Sequence, residues 1–305
     1  MSRARISYAC LLAVTCLDVV GCGTEVSQDD DRVSEASGGE APADDQSAVQ
    51  HGAGEPRQSV LPNVTVWIAG DSTVANGSTP CPRGWGGHFK PFFNSQVTVI
   101  NSAVAGRSVR TWLFDVLTTM DSTGECLVTL DAAGAPVLQA RWQAMLTGMK
   151  AGDYLFIQFG INDSSPTCNR HVGLDAFKQS YGLMAQAAKA RGVHPIFVTP
   201  LSAIACTGTV AQGTRRGYVP ATQQAGVQFG VPVIDLHQKS VNLYNSLKFC
   251  PIPGGPDVTA TTPGPVGAFF CADHTHLEDA GAVQIAGLVA AAVRDQGIGL
   301  AAYLR

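Results

Sequence analysis

The chain has 305 residues, 45% of them apolar and 14% charged, with 20 Lys and Arg set against 24 Asp and Glu. A formal charge of −4 lacks the basic excess that phosphate-backbone binding needs, so no nucleic-acid partner is expected. With the N-terminal region set aside, about 245 residues remain, enough for one α/β domain with a sizeable core and no second domain.

In chain order, basic Arg3 and Arg5 precede an apolar run from Ile6 to Val20 and the box Val19-Val20-Gly21-Cys22. This predicts a lipoprotein-type signal peptide over 1–22, too short and interrupted for a transmembrane helix, with Cys22 becoming a lipidated first residue. Asp18 inside the run leaves open an ordinary secretory signal cut nearby. Residues 23–60 are rich in Asp, Glu, Ser, Gly and Ala, nine acids against two bases, and predict a disordered acidic tether that holds the protein off a membrane. The domain over 61–305 is then near neutral. Six of the nine cysteines, at 81, 126, 168, 206, 250 and 271, lie in it and suggest three disulfides in an exported chain. Fifteen pairings are possible; pairing of sequence neighbours, Cys81–Cys126, Cys168–Cys206 and Cys250–Cys271, is the expectation.

Within the domain, apolar runs at 64–69, 97–100, 154–159, 195–199 and 231–234 read as buried strands. Helical patterns follow them near 87–94, 108–117, 138–149, 174–191 and 216–229, and a last helix is expected at 279–294. Strands alternating with helices predict a parallel α/β sheet whose ligands bind beyond the carboxyl ends of the strands. Four segments fall at such places: Gly70–Thr73 (GDST), Asn101–Ser108 (NSAVAGRS), Gly160–Asp163 (GIND) and, before the last helix, Asp273–His276 (DHTH). Together they hold every part of a serine esterase. The Ser72 hydroxyl can attack an acyl carbon, His276 can take its proton, and Asp273 can orient the imidazole. The Ser72 and Gly106 amides and Asn162 can donate to the oxyanion.

With these four segments the chain resembles the SGNH (GDSL-type) hydrolases, and within them the rhamnogalacturonan acetylesterases, from about Val64 to the C-terminal region. Trp85 in Gly84-Trp85-Gly86 and the element Val198–Pro200 add to the likeness. The resemblance implies a three-layer α/β/α sandwich with a flavodoxin-like parallel sheet. It also implies a catalytic triad of Ser72, Asp273 and His276, an oxyanion hole of Ser72, Gly106 and Asn162, and no metal or organic cofactor. Two features depart from the pattern: Ile161 stands where many members carry histidine, and roughly twenty extra residues surround 121–137.

Arg107, Arg110 and Trp85 are candidate substrate-binding residues, the arginines for a carboxylate or sugar hydroxyls and the indole for stacking on a sugar. Structural roles, an ion pair for the arginines and a core position for the tryptophan, are the alternatives. His88, His171, His194 and His237 belong to no motif. The function expected is removal of O-acetyl groups from an acetylated polysaccharide, of the rhamnogalacturonan type, by a monomeric exported enzyme anchored through Cys22. The rivals are an SGNH lipase or thioesterase with the same triad, and a surface polysaccharide-binding lipoprotein without turnover.

Overall fold

Five parallel strands carry the domain in the computed structural model, which describes residues 61–77, 81–214 and 217–305. In chain order the elements are β1 (Val64–Gly70), β2 (Val97–Asn101), α1 (Val109–Leu113), β3 (Val116–Met120), β4 (Cys126–Val128), α2 (Ala140–Gly148), β5 (Tyr154–Gln158) and α3 (Leu174–Lys189). They continue with β6 (His194–Val198), β7 (Ile204–Thr207), β8 (Val210–Gly213), α4 (Tyr218–Phe229), β9 (Val233–Ile234), α5 (Leu236–Ser246), α6 (Gly264–Phe269) and α7 (Asp279–Asp295). The sheet order is β2-β1-β5-β6-β9, all pairs parallel. Counting only those five strands this is 2-1-3-4-5, the flavodoxin-like order, which reverses between β1 and β5.

Period-two alternation divides the strands between two cores. Val66, Ile68, Phe156 and Val198 face one side, with Leu236 and Tyr244 of α5, Phe269 of α6 and Ile285 and Val289 of α7. Trp67, Ala69, Leu155, Ile157 and Phe197 face the other, with Trp112 of α1, Trp142 of α2, Phe177 and Tyr181 of α3 and Ala225 of α4. The result is a three-layer α/β/α sandwich. Because both faces of the central strands are covered, β1, β5 and β6 read as continuous apolar runs rather than alternating ones. Among the described residues no helix is long and apolar enough to cross a membrane. The signal peptide, Cys22 and the acidic tether lie outside the described residues.

Two expected helices are corrected. The helix expected at 87–94 is instead a pair of single 3-10 turns, Trp85–His88 and Lys90–Phe92, because Pro91 has no N–H to extend a helical ladder. The helix expected at 108–117 stops at Leu113, and the chain turns into β3, where Val116, Thr118 and Thr119 suit a strand. The extra residues that follow form a β3–β4 hairpin. It turns at Asp121-Ser122-Thr123-Gly124, where the Asp121 carboxylate accepts from the Thr123 and Glu125 amides and Gly124 takes a positive φ of 89°. A second such turn follows, Asp131 accepting from the Ala133 and Ala135 amides.

The six domain cysteines are all paired, but as Cys81–Cys271, Cys126–Cys168 and Cys206–Cys250, with Cα separations of 6.0, 5.4 and 5.5 Å. Each of the three neighbour pairings expected from sequence is overturned. The pairing follows the loops instead. Arg83 bridges antiparallel to Leu277 and so carries the segment of Cys81 to that of Cys271. The β3–β4 hairpin reaches the loop after β5, where the Glu125 carboxylate accepts from the Gly173 amide beside the Cys126–Cys168 bond.

Candidate active site

Ser72 follows β1 at the strand order's reversal, with Asn162 after the neighbouring β5 and Gly106 after β2 on its other side. The serine loop is held from below by a buried polar chain. The Trp85 indole N–H donates to Oε1 of Gln158 at 2.8 Å, Gln158 Nε2 donates to the Thr73 hydroxyl at 2.8 Å, and that hydroxyl donates to Asp71 at 2.8 Å. Asp71 also accepts from the Thr73 amide at 2.9 Å, closing a tight turn that leaves Ser72 at its apex. Gln158 and Asp71 are fully buried, and only a closed chain of donors and acceptors makes that burial tolerable.

The acid–base side is built from a single short loop. The Ser72 hydroxyl donates to Nε2 of His276 at 2.9 Å, and the opposite ring nitrogen, Nδ1, donates to Oδ2 of Asp273 at 2.7 Å. Oδ1 of Asp273 accepts from the amides of Thr275 and His276, each at 2.7 Å, so the loop coils around its own carboxylate. Partial burial disfavours charge on Asp273, yet the bonds from the His276 amide and ring and the Thr275 amide outweigh it and hold the carboxyl below its ordinary value. An ionised Asp273 keeps the proton on Nδ1 and leaves Nε2 as an acceptor facing serine. His274 points elsewhere, its Nδ1 donating to Asp257 at 2.9 Å in an exposed pair.

The oxyanion side is assembled over a longer stretch of chain. Gly106 has φ +73°, a conformation open to glycine, and a Cβ there would lie 3.2 Å from Nη2 of Arg170. Neither the Ser72 nor the Gly106 amide donates to a protein acceptor among the described residues. One N–H of the Asn162 amide donates to the Arg107 carbonyl at 3.1 Å, which fixes its plane and leaves the second N–H to donate elsewhere. Beneath lies Asp163, fully buried, accepting from the Val109 amide at the start of α1 and from the Gly160 amide after β5, both at 2.9 Å. Burial pushes its carboxyl up to about 7 in spite of those two donors. In the sequence Asp163 stands only as the last residue of the Gly160–Asp163 segment; its role as the tie between two loops is not legible there, nor is that of Gln158.

Two of the three candidate substrate-binding residues are corrected. Trp85 is fully buried, edge-on to Phe89 with its N–H spent on Gln158, so it cannot stack on a sugar and is part of the support for the serine loop. Arg110 pairs with Glu125 at 3.6 Å with its side chain only 14% exposed, an internal tie rather than a ligand contact. Arg107 is exposed beside Gly106 and remains available. The unassigned histidines are structural or peripheral: the His171 ring donates to the Ser165 carbonyl, the His237 ring to the Thr214 carbonyl, and His88 pairs with Asp279.

Residues 68–282 match the GDSL-like lipase/acylhydrolase family. The rhamnogalacturonan acetylesterase RhgT of Bacillus subtilis (strain 168) is 29% identical over 256 residues, 79% of this chain and 94% of that protein. The probable rhamnogalacturonan acetylesterase YesY of the same organism is 26% identical over 243 residues, 77% of this chain and 94% of that protein. The crystal structure of protein YxiM from Bacillus subtilis shares the fold, with a TM-score of 0.59 and 22% identity over 78% of this chain, which spans 58% of that one. With a family match over most of the domain and a hydrogen-bonded Ser-His-Asp set at the sheet's reversal point, the chain belongs to the GDSL-like lipase/acylhydrolase family and is a serine ester hydrolase.

Proposed function

We propose that the protein removes O-acetyl groups from a pectic polysaccharide of the rhamnogalacturonan type. As a carbohydrate esterase it is supported by its likeness to RhgT and YesY. The observation that carries the mechanism is the unbroken line from Ser72 Oγ to His276 Nε2 and from His276 Nδ1 to Asp273. Ser72 Oγ attacks the acetyl carbonyl while His276 takes its proton. The negative charge that develops on the carbonyl oxygen is met by the Ser72 and Gly106 amides and the free N–H of Asn162. His276 then gives the proton to the sugar oxygen as its bond to the acetyl carbon breaks, releasing the sugar hydroxyl and leaving an acetyl-serine that water, activated by the same imidazole, hydrolyses to acetate. Asp273 stays ionised throughout and stabilises the imidazolium.

The test is acetate release from acetylated rhamnogalacturonan, acetylated xylan and medium-chain esters by the protein and its Ser72→Ala variant. Release highest from the rhamnogalacturonan, and abolished in Ser72→Ala, is the expected result. Near-normal turnover in Ser72→Ala would overturn the mechanism, and preference for medium-chain esters would overturn the substrate. Export with a lipid on Cys22 forms part of the same reading, checked by mass spectrometry of the mature N-terminus.

A further inference from the structure

We propose that Arg170 forms a carboxylate-binding subsite beside Gly106, which reads a uronate carboxylate of the polysaccharide. A Cβ built on Gly106 would lie 3.2 Å from Nη2 of Arg170 and 3.8 Å from its guanidinium carbon, so the guanidinium flanks the Cα face of that glycine. Arg170 is exposed and, among the described residues, has no acidic partner within ion-pair distance. The nearby carboxylates are committed: Glu125 to Arg110 and the Gly173 amide, Asp163 to the amides of Val109 and Gly160. Arg107, the next residue after Gly106, adds a second exposed guanidinium without an acidic partner among the described residues. Unmatched positive charge at the mouth of an acyl-transfer site favours an anionic substrate, and a planar guanidinium matches a carboxylate with two parallel hydrogen bonds.

The position is built rather than incidental. Arg170 stands two residues after Cys168, which the disulfide to Cys126 ties to the β3–β4 hairpin. The Glu125 bond to the Gly173 amide fastens the same loop from its other end, and the Arg170 amide itself donates to the Thr167 carbonyl. The inserted hairpin thus acts as a brace that presents Arg170 at the site. The guanidinium lies on the Cα side of Gly106, where a side chain on that residue would otherwise stand.

This deepens the reading of a galacturonan-containing substrate and rests on it. The experiment measures inhibition of 4-nitrophenyl acetate hydrolysis by galacturonic acid oligomers and by the same oligomers methyl-esterified, in the full chain and in Arg170→Ala and Arg170→Gln. The free acids should inhibit about ten- to a hundredfold more strongly than the esters, and both variants should collapse that ratio toward one. A ratio of one in the unaltered protein, or one that survives both substitutions, overturns the subsite. So does an equal weakening of acid and ester inhibition, which would mark a purely structural role for Arg170. Acetate release from acetylated rhamnogalacturonan, run in parallel, tests the substrate separately. No release with the ratio intact sinks the substrate and keeps the subsite; release with no ratio does the reverse.

Discussion

The two sides of Ser72 are built on opposite principles. The acid–base side, Asp273 to His276, is four consecutive residues whose carboxylate satisfies two amides of its own loop and orients its own imidazole, with the side chains of Asp273 and His276 44% and 31% exposed. The oxyanion side joins Gly106 to Asn162 across more than fifty residues, and the piece that holds them together, Asp163, is fully buried. A local loop can orient a proton acceptor because its geometry is set by short-range hydrogen bonds. A hole for an oxyanion needs donors converging from different strand ends, and that requires a tie through the interior. Damage to the first side should therefore appear in chemistry alone, and damage beneath the second in stability as well.

The largest effect expected is on the acid–base side. His276→Ala should lower kcat by about a thousandfold or more, with thermal stability unchanged, whereas His274→Ala, which disturbs only the exposed pair with Asp257, should stay within about threefold. Steady-state kinetics on a soluble acetyl ester decides this, and a larger loss in folded His274→Ala would show that the base had been misassigned. Next, Asn162→Ala should cost about a hundred- to a thousandfold in kcat, as loss of one oxyanion donor does, with little change in KM. Unchanged turnover would remove Asn162 from the site and with it half of the comparison.

The clearest stability effect, with a smaller loss of turnover than Asn162→Ala, belongs to Asp163. Asp163→Ala strands two buried amides and should destabilise the fold by about 2–5 kcal/mol in denaturant titration, loosening the oxyanion side secondarily. The same carboxyl imposes a pH dependence. Its pKa rises from 3.8 to about 7 on folding, so between those values the folded protein holds a proton that the unfolded chain has released. Its contribution is complete below about pH 4 and lost as pH rises through 7. Asp163→Asn should flatten that slope in unfolding midpoints measured from pH 4 to 8, and a slope equal to that of the unaltered protein would reassign it to another group.

The contrast also explains what could be read from the residues alone. The strands at 64–70 and 154–158 are legible because burial on both faces makes them continuous apolar runs ending at the functional segments, and the edge strand at 97–101 is legible from its β-branched run Val97-Thr98-Val99-Ile100. The Asp-x-x-His spacing selected His276 over His274 because that site is local: three residues on, a turn brings the imidazole back to the carboxylate. The β3–β4 hairpin is not legible although its Asp121-x-x-Gly124 turn stands in the sequence, because the adjoining stretch after Ser108 carries a helix start whose pattern continues past Leu113.

What the sequence by itself determined about this protein is the run of the five sheet strands and the Asp-x-x-His spacing that sets His276 rather than His274 against Asp273, both fixed by near neighbours and by burial pattern. The tertiary structure alone decided the rest. It paired Cys81 with Cys271 across 190 residues, turned Trp85 inward and Arg110 onto Glu125, placed Asp163 beneath both oxyanion loops, and brought Arg170 against Gly106. The physical reason is common to all of these. Which cysteine, carboxylate or amide a group meets depends on which loops share one end of the sheet, and residue type and spacing carry no record of that meeting.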